Sequence, residues 1–150
     1  MITKFKNLKH YGSSGIVFWY ENKVLLVHPY DPDGDRYDGW SYPKGRQDAG
    51  ETKRETAIRE VNEEININLP INFLDKTRMQ ELKPVIKKKG IKHYWYFTYK
   101  LTQEEFSKYF NDSFVIPKEK LQLDEVDEAR FMDIDEAKTL ISNSFKDILK

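Results

Sequence analysis

One stretch, from Gly45 to Ile67, constrains this chain more than any other. If Thr52 to about Ile65 is helical, one helix face carries four apolar residues, Ala57, Ile58, Val61 and Ile65. A second face carries three glutamates at positions i, i+3 and i+4, namely Glu60, Glu63 and Glu64. The sequence therefore predicts a helix that packs on a core with one side and presents carboxylates on the other.

The three carboxylates allow two interpretations. Like charges at this spacing repel by about a few tenths of a kcal/mol per pair, so something should offset that cost. In the first interpretation the glutamates form a solvated acidic face, relieved by Arg54 and Arg59. In the second they are oxygen ligands for Mg²⁺ or Mn²⁺, metals that favour carboxylates and suit phosphate substrates.

The residues around the helix resemble the signature of the Nudix hydrolases. That signature is Gly, five residues, Glu, seven residues, Arg-Glu, an aliphatic, any residue, Glu-Glu, any residue, Gly and an aliphatic. This chain supplies matching residues at Gly45, Glu51, Arg59, Glu60, Val61, Glu63, Glu64 and Ile67. The closing glycine is Asn66 here, and Asn is the usual second choice for a left-handed helix end, so we expect the ligands to be unaffected. The length and fixed spacing of the motif favour the metal-site interpretation.

The resemblance also implies roles for single residues. Glu60, Glu63 and Glu64 would bind Mg²⁺, or Mn²⁺, directly or through water, and a main-chain carbonyl at Lys44 would join them. An acidic residue outside the helix completes the metal site or acts as base; we choose Glu125, with Asp124, Asp127 and Glu128 as neighbouring alternatives. The general base would be one of Glu60, Glu63 and Glu125. Arg59 and Glu51 would form a pair that fixes the glutamate geometry, and Gly45 would provide a turn.

The segment before the motif, Trp40 to Gly45 (WSYPKG), resembles the lead-in of Nudix enzymes that act on polyphosphates, diadenosine tetraphosphate hydrolases among them. The candidate substrate-binding residues are Trp40, Tyr42, Lys44, Lys92 and Tyr94. Trp40 suits a core position equally well. The run Lys87-Lys88-Lys89 could hold a triphosphate or an RNA backbone, or it could be a solvated hairpin tip.

The implied function is metal-dependent hydrolysis of a phosphoric anhydride bond in a nucleoside or dinucleoside polyphosphate, by in-line attack of a metal-activated water. The absence of cysteine excludes a cysteine nucleophile and thiolate metal sites. Two alternatives stay open: an RNA 5′-end pyrophosphohydrolase, and a catalytically silent module that binds a nucleotide.

Composition limits the partners. Twenty-five basic residues balance 25 acidic ones, so no overall field attracts nucleic acid or a membrane, and a small nucleotide is the expected partner, with RNA 5′ ends the one nucleic-acid exception. The 150 residues suit a single domain, 1–150. Without an apparent targeting or membrane-spanning segment, we expect a cytoplasmic protein; the sequence does not predict its oligomeric state.

The remaining pattern predicts the order of elements. Ser14 to Tyr20 and Lys23 to His28 form a hairpin, a loop covers Pro29 to Gly39, and strand pieces cover Leu69 to Met79 and Pro84 to Lys88. These are followed by a long strand from Ile91 to Leu101, a short helix after Thr102, a strand from Arg130 to Ile134 and a helix starting at Asp133 or Asp135. These elements favour an α/β or α+β domain. The resemblance implies an α/β/α sandwich around a mixed central β-sheet.

Overall fold

The computed structural model describes residues 8–30 and 39–150. Within these ranges seven strands form one sheet: β1 (His10–Tyr20), β2 (Lys23–Pro29), β3 (Lys44–Arg46), β4 (Met79–Glu81), β5 (Val85–Lys87), β6 (Gly90–Lys100) and β7 (Val126–Asp133). The helices are α1 (Lys53–Ile65), α2 (Gln103–Phe110) and α3 (Ile134–Leu140), with short 3-10 helices at Lys118–Lys120 and Asn143–Leu149. None of these helices is long and apolar enough to cross a membrane.

The sheet is mixed. Its main strand order is β4-β6-β1-β2-β7, while β3 pairs with β1 and β5 pairs with β6. The central pair, β1 and β6, is parallel over ten residue pairs, from His10 opposite Ile91 to Trp19 opposite Lys100. All other strand pairs are antiparallel. The predicted mixed sheet is therefore confirmed.

Helical segments cover both faces of this sheet. On one face, α1 and α2 pack through apolar residues of their inner sides, such as Val61, Ile65 and Phe106, against Ile16 and Phe97. On the other face, α3 and the last 3-10 helix bring a second apolar cluster, Ala137, Ile141, Phe145 and Ile148, against strands β1, β2 and β6. Alternating side chains of the central strands supply both cores. This arrangement is the sandwich implied by the resemblance.

The two strands of the first hairpin diverge, and this divergence positions the site. β1 and β2 pair only next to their turn, at Trp19 with Val24 and Tyr20 with Lys23. Farther along, the segment 41–46 lies between them. Ser41 exchanges two hydrogen bonds with Val27 of β2, at 2.7 and 2.9 Å, and β3 pairs with β1 from Ser13 to Gly15. The inserted segment leads directly into α1.

Helix α1 has the ends that its sequence predicts. The Thr52 side chain accepts a hydrogen bond from the Glu55 main-chain N–H, and the Glu55 carboxylate accepts one from the Thr52 N–H, which completes a capping box. At the other end Asn66 has φ of 50° and ψ of 54°, the left-handed conformation. The expectation that Asn66 replaces a glycine as a left-handed cap is confirmed. The helix after Thr102 likewise has a capping box, formed with Glu105.

Two predicted elements were wrong. Most of the segment from Leu69 to Met79 is a series of turns, because side chains of α1 bind its main chain. Asn62 bonds both the N–H and the carbonyl of Leu69, while Arg54 donates to two carbonyls farther along, at 2.7 and 3.1 Å. These side chains satisfy backbone groups that a strand would have paired.

The predicted C-terminal helix is interrupted after Leu140. The main chain of Trp40 donates to the Leu140 carbonyl at 3.0 Å and accepts from the Ser142 N–H at 2.9 Å, which draws Ile141 and Ser142 out of the helix. The chain then continues as the 3-10 helix. The last strand starts at Val126, four residues earlier than predicted. Most of the loop predicted over Pro29 to Gly39 lies outside the described residues.

Candidate active site

A cavity of about 470 Å³ lies where β1 and β2 diverge. Seven elements or their flanks line it: β1, β2, β3, α1, β5, β6 and the start of β7. Its polar lining is sharply divided by charge. Three carboxylates, Glu60, Glu64 and Glu125, face four cationic residues, Lys44, Arg46, Lys87 and Lys92. The cavity thus combines acidic and basic groups within one enclosure.

Glu64 is the most deeply placed of the three acids, with only 6% of its surface exposed. Its Oε1 atom is buried and has no hydrogen-bond partner among the described residues. Burial raises the pKa of Glu64 and the neighbouring carboxylates of Glu60 and Glu125 raise it further, while the Lys44 ammonium opposes them. Because a buried oxygen without a partner is costly, this atom is suited to a ligand that the protein itself does not supply.

The Lys44 side chain lies beside Glu64 within a ring of aromatic groups. Its Nζ is 5.9, 5.8 and 5.0 Å from the ring centres of Tyr42, Tyr94 and Phe145. Burial lowers the pKa of Lys44, and the charge of Glu64 is the largest effect that opposes this. Aromatic faces stabilise a cation, so they hold the ammonium group at this wall of the cavity.

Glu60 packs directly against Gly45. A Cβ atom on residue 45 would lie 2.0 Å from the Glu60 carboxyl carbon, so only glycine leaves room for this side chain. Gly45 belongs to strand β3, opposite Ser14, and does not form the turn that the sequence suggested. Its role is to admit the carboxylate. Burial raises the pKa of Glu60, while the hydrogen bond from Arg59 lowers it.

Arg59 links the loop before α1 to the glutamates of α1. It donates to both oxygens of Glu51, at 2.7 and 3.0 Å, to Glu60 at 2.8 Å and to the Arg46 carbonyl at 3.0 Å. The Arg59 hydrogen bonds hold the pKa of Glu51 at about 2, and they raise that of Arg59. Glu63, at 3.4 Å, and Asp48, at 3.3 Å, complete the network.

The donor set suits a hard divalent cation. Such ions prefer carboxylate oxygens, and Glu64 offers one that has no other partner. In the arrangement as it stands, no three acidic or imidazole side chains of residues 8–30 and 39–150 converge on one point. The reason is visible in the contacts: Glu60 and Glu63 are both turned toward Arg59. Metal binding would require these two side chains to turn back.

Comparison with known proteins identifies the family. The family model of the NUDIX domain matches residues 9–149, nearly the whole chain. The chain belongs to the NUDIX family. It is 33% identical, over 99 residues, to the 8-oxo-(d)GTP phosphatase of Mycolicibacterium smegmatis; the match covers 66% of this chain and 27% of that protein. The chain therefore spans only about a quarter of the length of that relative.

Solved structures share the NUDIX fold at low sequence identity. A binary complex of the Caenorhabditis elegans Ap4A hydrolase is 21% identical, with a TM-score of 0.63 over 93% of this chain and 92% of that one. The MutT protein of Methanosarcina mazei is 15% identical, with a TM-score of 0.66 over 95% and 92%. These likenesses establish the architecture.

The NUDIX domain brings most of the predicted site residues together. Lys44, Glu60, Glu64, Lys92, Tyr94 and Glu125 all line the cavity, with Gly45. Glu51 and Arg59 lie directly behind Glu60. Among the acidic alternatives near Glu125, Asp127 is engaged by His28, with 2.7 Å between Oδ1 and Nδ1. Glu63 does not line the cavity and is half-exposed beside Arg59.

Two candidate substrate-binding residues lie elsewhere. Tyr42 is completely buried and its hydroxyl donates to the Trp95 carbonyl at 3.2 Å. Trp40 is 7% exposed and packs between His28 and the Arg130 guanidinium. Both belong to the core below the cavity, so neither presents a face for a nucleobase. For Trp40 this is the core position that its sequence also allowed.

Sequence reasoning missed Arg46 and Ser13, which also line the cavity, and it left Lys87 open between a phosphate contact and a solvated hairpin tip. Arg46 directly follows the motif's first glycine, and Lys87 starts the lysine run, but neither position indicates which sheet face it occupies. The pairing of β3 with β1 and of β5 with β6 places them at the cavity. The pairing of β3 with β1 is long-range and has no local sequence signal, whereas β5 and β6 form a local hairpin across residues 88 and 89.

Proposed function

We propose that the protein is a metal-dependent hydrolase that cleaves a phosphoric anhydride bond of a nucleoside or dinucleoside polyphosphate. The observation that carries this proposal is the buried, unpartnered carboxylate oxygen of Glu64, in one cavity with Glu60 and Glu125. A protein that only needed a stable helix would gain nothing from burying this charge. Membership of the NUDIX family supports the same reaction class.

Mg²⁺, or Mn²⁺ in its place, would be held by Glu60, Glu63, Glu64 and Glu125, with the main-chain carbonyl of Lys44. Once bound, such an ion lowers the pKa of a coordinated water and neutralises phosphate oxygens. One of Glu60, Glu63 and Glu125 then accepts the proton of the attacking water.

Other residues of the site would orient the metal ligands and neutralise the charge of the phosphates. Arg59, which Glu51 holds in place, donates to Glu60 beside Gly45, and this pair would position Glu60 when it turns toward a metal. The ammonium groups of Lys44 and Lys92 belong to the same cavity, where they would neutralise phosphate charge that builds up as the bond breaks. Tyr94 lines the same cavity but is only 5% exposed; its ring lies 5.8 and 5.2 Å from the ammonium groups of Lys44 and Lys92, so it would position these cations.

Relatives of the chain support small nucleotide substrates. Among them are proteins described as an 8-oxo-(d)GTP phosphatase and an Ap4A hydrolase. We infer that this chain acts on a molecule of the same chemistry, with phosphates in a row and a nucleoside at one or both ends. An RNA 5′-end activity and a silent nucleotide-binding role are the alternative outcomes of the test below.

The test is Mg²⁺-dependent product release from a panel of substrates. The panel holds diadenosine tetraphosphate, common and oxidised nucleoside triphosphates, ADP-ribose and 5′-triphosphate RNA. Glu64→Gln is the inactivating variant, and Glu104→Gln, on the exposed side of α2, is the matched control. Turnover of a nucleotide that is lost only in Glu64→Gln supports the proposal. Binding of a nucleotide without turnover supports the silent module, and wild-type turnover by Glu64→Gln overturns the site.

A further inference from the structure

A second depression opens beside the glutamate cavity and is lined almost entirely by cations. It measures about 680 Å³ and is formed by Tyr11, Arg46, Ile86, Lys87, Lys88, Lys89 and Lys92, which we call the basic groove. Its volume falls within the range of about 300–1,000 Å³ that is typical of ligand sites. Five of its seven residues are positively charged and none is acidic.

The cations of the basic groove have no carboxylate partners among the described residues. All ion pairs within residues 8–30 and 39–150 involve other basic side chains, such as Lys23, Arg59 and Arg130. The chain as a whole carries equal numbers of acidic and basic residues, so this clustering is not a consequence of composition. Like charges held together raise the free energy of the protein unless a counter-charge arrives.

The inner part of the basic groove is formed by cations that lie over aromatic rings. Lys92 lies over the rings of Tyr11 and Tyr94, at 5.6 and 5.2 Å, and Arg46 lies over Tyr11 at 5.9 Å. The Lys87 ammonium donates to the Tyr94 hydroxyl at 3.4 Å. Burial, with the charges of Lys44, Lys87 and other neighbouring cations, lowers the pKa of Lys92 to about 8. These contacts hold the cations near one another despite their repulsion.

The basic groove and the glutamate cavity are continuous. Arg46, Lys87 and Lys92 line both, so a path of positive charge leads from the carboxylates out to the exposed tip of the β5–β6 hairpin. Lys88 and Lys89 stand at the outer end of that path, on the two residues between the paired strands. A linear anion that begins at Glu60 and Glu64 would therefore meet cations along its whole length.

We infer that the substrate carries further phosphates beyond the anhydride that is cleaved, and that the basic groove binds them. The substrate class is then a nucleoside or dinucleoside polyphosphate whose phosphate chain extends past the cleaved anhydride into the basic groove. This inference rests on the proposed function. The two phosphates on either side of the cleaved bond can be bound without the lysine run. The additional phosphates give that run a role.

The first test measures binding without catalysis. Inorganic tripolyphosphate and pyrophosphate are titrated calorimetrically into the metal-free protein, into Lys88→Gln/Lys89→Gln, and into the charge-matched control Lys76→Gln/Lys100→Gln, whose lysines are exposed elsewhere. We expect wild type and control to bind tripolyphosphate more tightly than pyrophosphate. The groove variant should lose about threefold to tenfold in tripolyphosphate affinity, the size expected for two exposed charge pairs.

The second test measures selectivity. The ratio of kcat/KM for adenosine 5′-tetraphosphate to that for ATP should fall in the groove variant by the same factor, with diadenosine tetraphosphate in parallel to show whether a second nucleoside matters. Turnover with an unchanged ratio and unchanged tripolyphosphate affinity overturns the inference and leaves the proposed function standing. Loss of tripolyphosphate affinity in a protein that hydrolyses no nucleotide supports the groove and overturns the proposed function.

Discussion

The pair formed by Arg59 and Glu51 should contribute measurably to stability, in a manner that depends on pH. Each pKa unit corresponds to about 1.36 kcal/mol, so the fall in the pKa of Glu51 from 4.5 to about 2 sets an upper limit of about 3 kcal/mol. Both side chains keep some contact with water, at 29% and 18% exposure, which screens the interaction. We therefore expect a coupling free energy of about 2 kcal/mol.

The assay is a double-mutant cycle of Arg59→Gln and Glu51→Gln, followed by urea unfolding. Because the folded pKa of Glu51 lies below its unfolded value, its stabilisation is complete above about pH 5 and is lost as the pH falls toward 2. The coupling should therefore be near 2 kcal/mol at pH 7 and should shrink steadily between pH 5 and pH 2.

Arg54 provides the control for this cycle. It lies on the same helix but donates to the carbonyls of Leu74 and Thr77, so Arg54→Gln and Glu51→Gln should be additive. A coupling below about 0.5 kcal/mol between Arg59 and Glu51 at pH 7 would refute the reasoning, as would a coupling that persists unchanged at pH 2.5.

Two further predictions concern the cavity. Gly45→Ala places a methyl group 2.0 Å from the Glu60 carboxyl carbon and should displace that carboxylate. We expect kcat/KM to fall by about tenfold to a hundredfold, although every carboxylate is still present. Unchanged kinetics would contradict the close packing of Glu60 on Gly45. The pKa of Lys92 is lowered to about 8, so its ammonium group loses its charge as the pH rises from 7.5 to 9.5. KM should therefore rise by about tenfold over this range in the wild type and stay constant in Lys92→Arg. Identical pH profiles of the two proteins would exclude a role for the Lys92 charge.

Local sequence signals were sufficient for α1 and its ends. The capping residues Thr52 and Glu55 and the left-handed Asn66 act within a few residues of one another, so the chain itself specifies them. The paired strands β1 and β2 and the long strand β6 likewise have strong β-forming composition. The spacing of Glu60, Glu63 and Glu64 places them on one side of the helix, and the position of the helix brings Glu60 and Glu64 into the cavity.

Long-range contacts account for what the sequence did not predict. The break after Leu140 depends on hydrogen bonds to Trp40, a hundred residues away in the chain. The turns after Leu69 depend on Asn62 and Arg54, whose side chains carry no signal of their targets. Gly45 was expected at a turn, and its close approach to Glu60 became apparent only with the sheet in place. The cytoplasmic location and the single domain over 1–150 stay predictions.

In the proposed function, Glu64 and its neighbours bind a divalent metal that hydrolysis requires. The most direct measurement is a calorimetric titration of Mn²⁺ into the wild type, Glu64→Gln and the control Glu104→Gln, without nucleotide. We expect wild type and control to bind Mn²⁺ alike and Glu64→Gln to lose at least about tenfold in affinity, because the buried Oε1 atom of Glu64 has no partner among the described residues. Equal Mn²⁺ affinity in all three proteins would contradict this expectation.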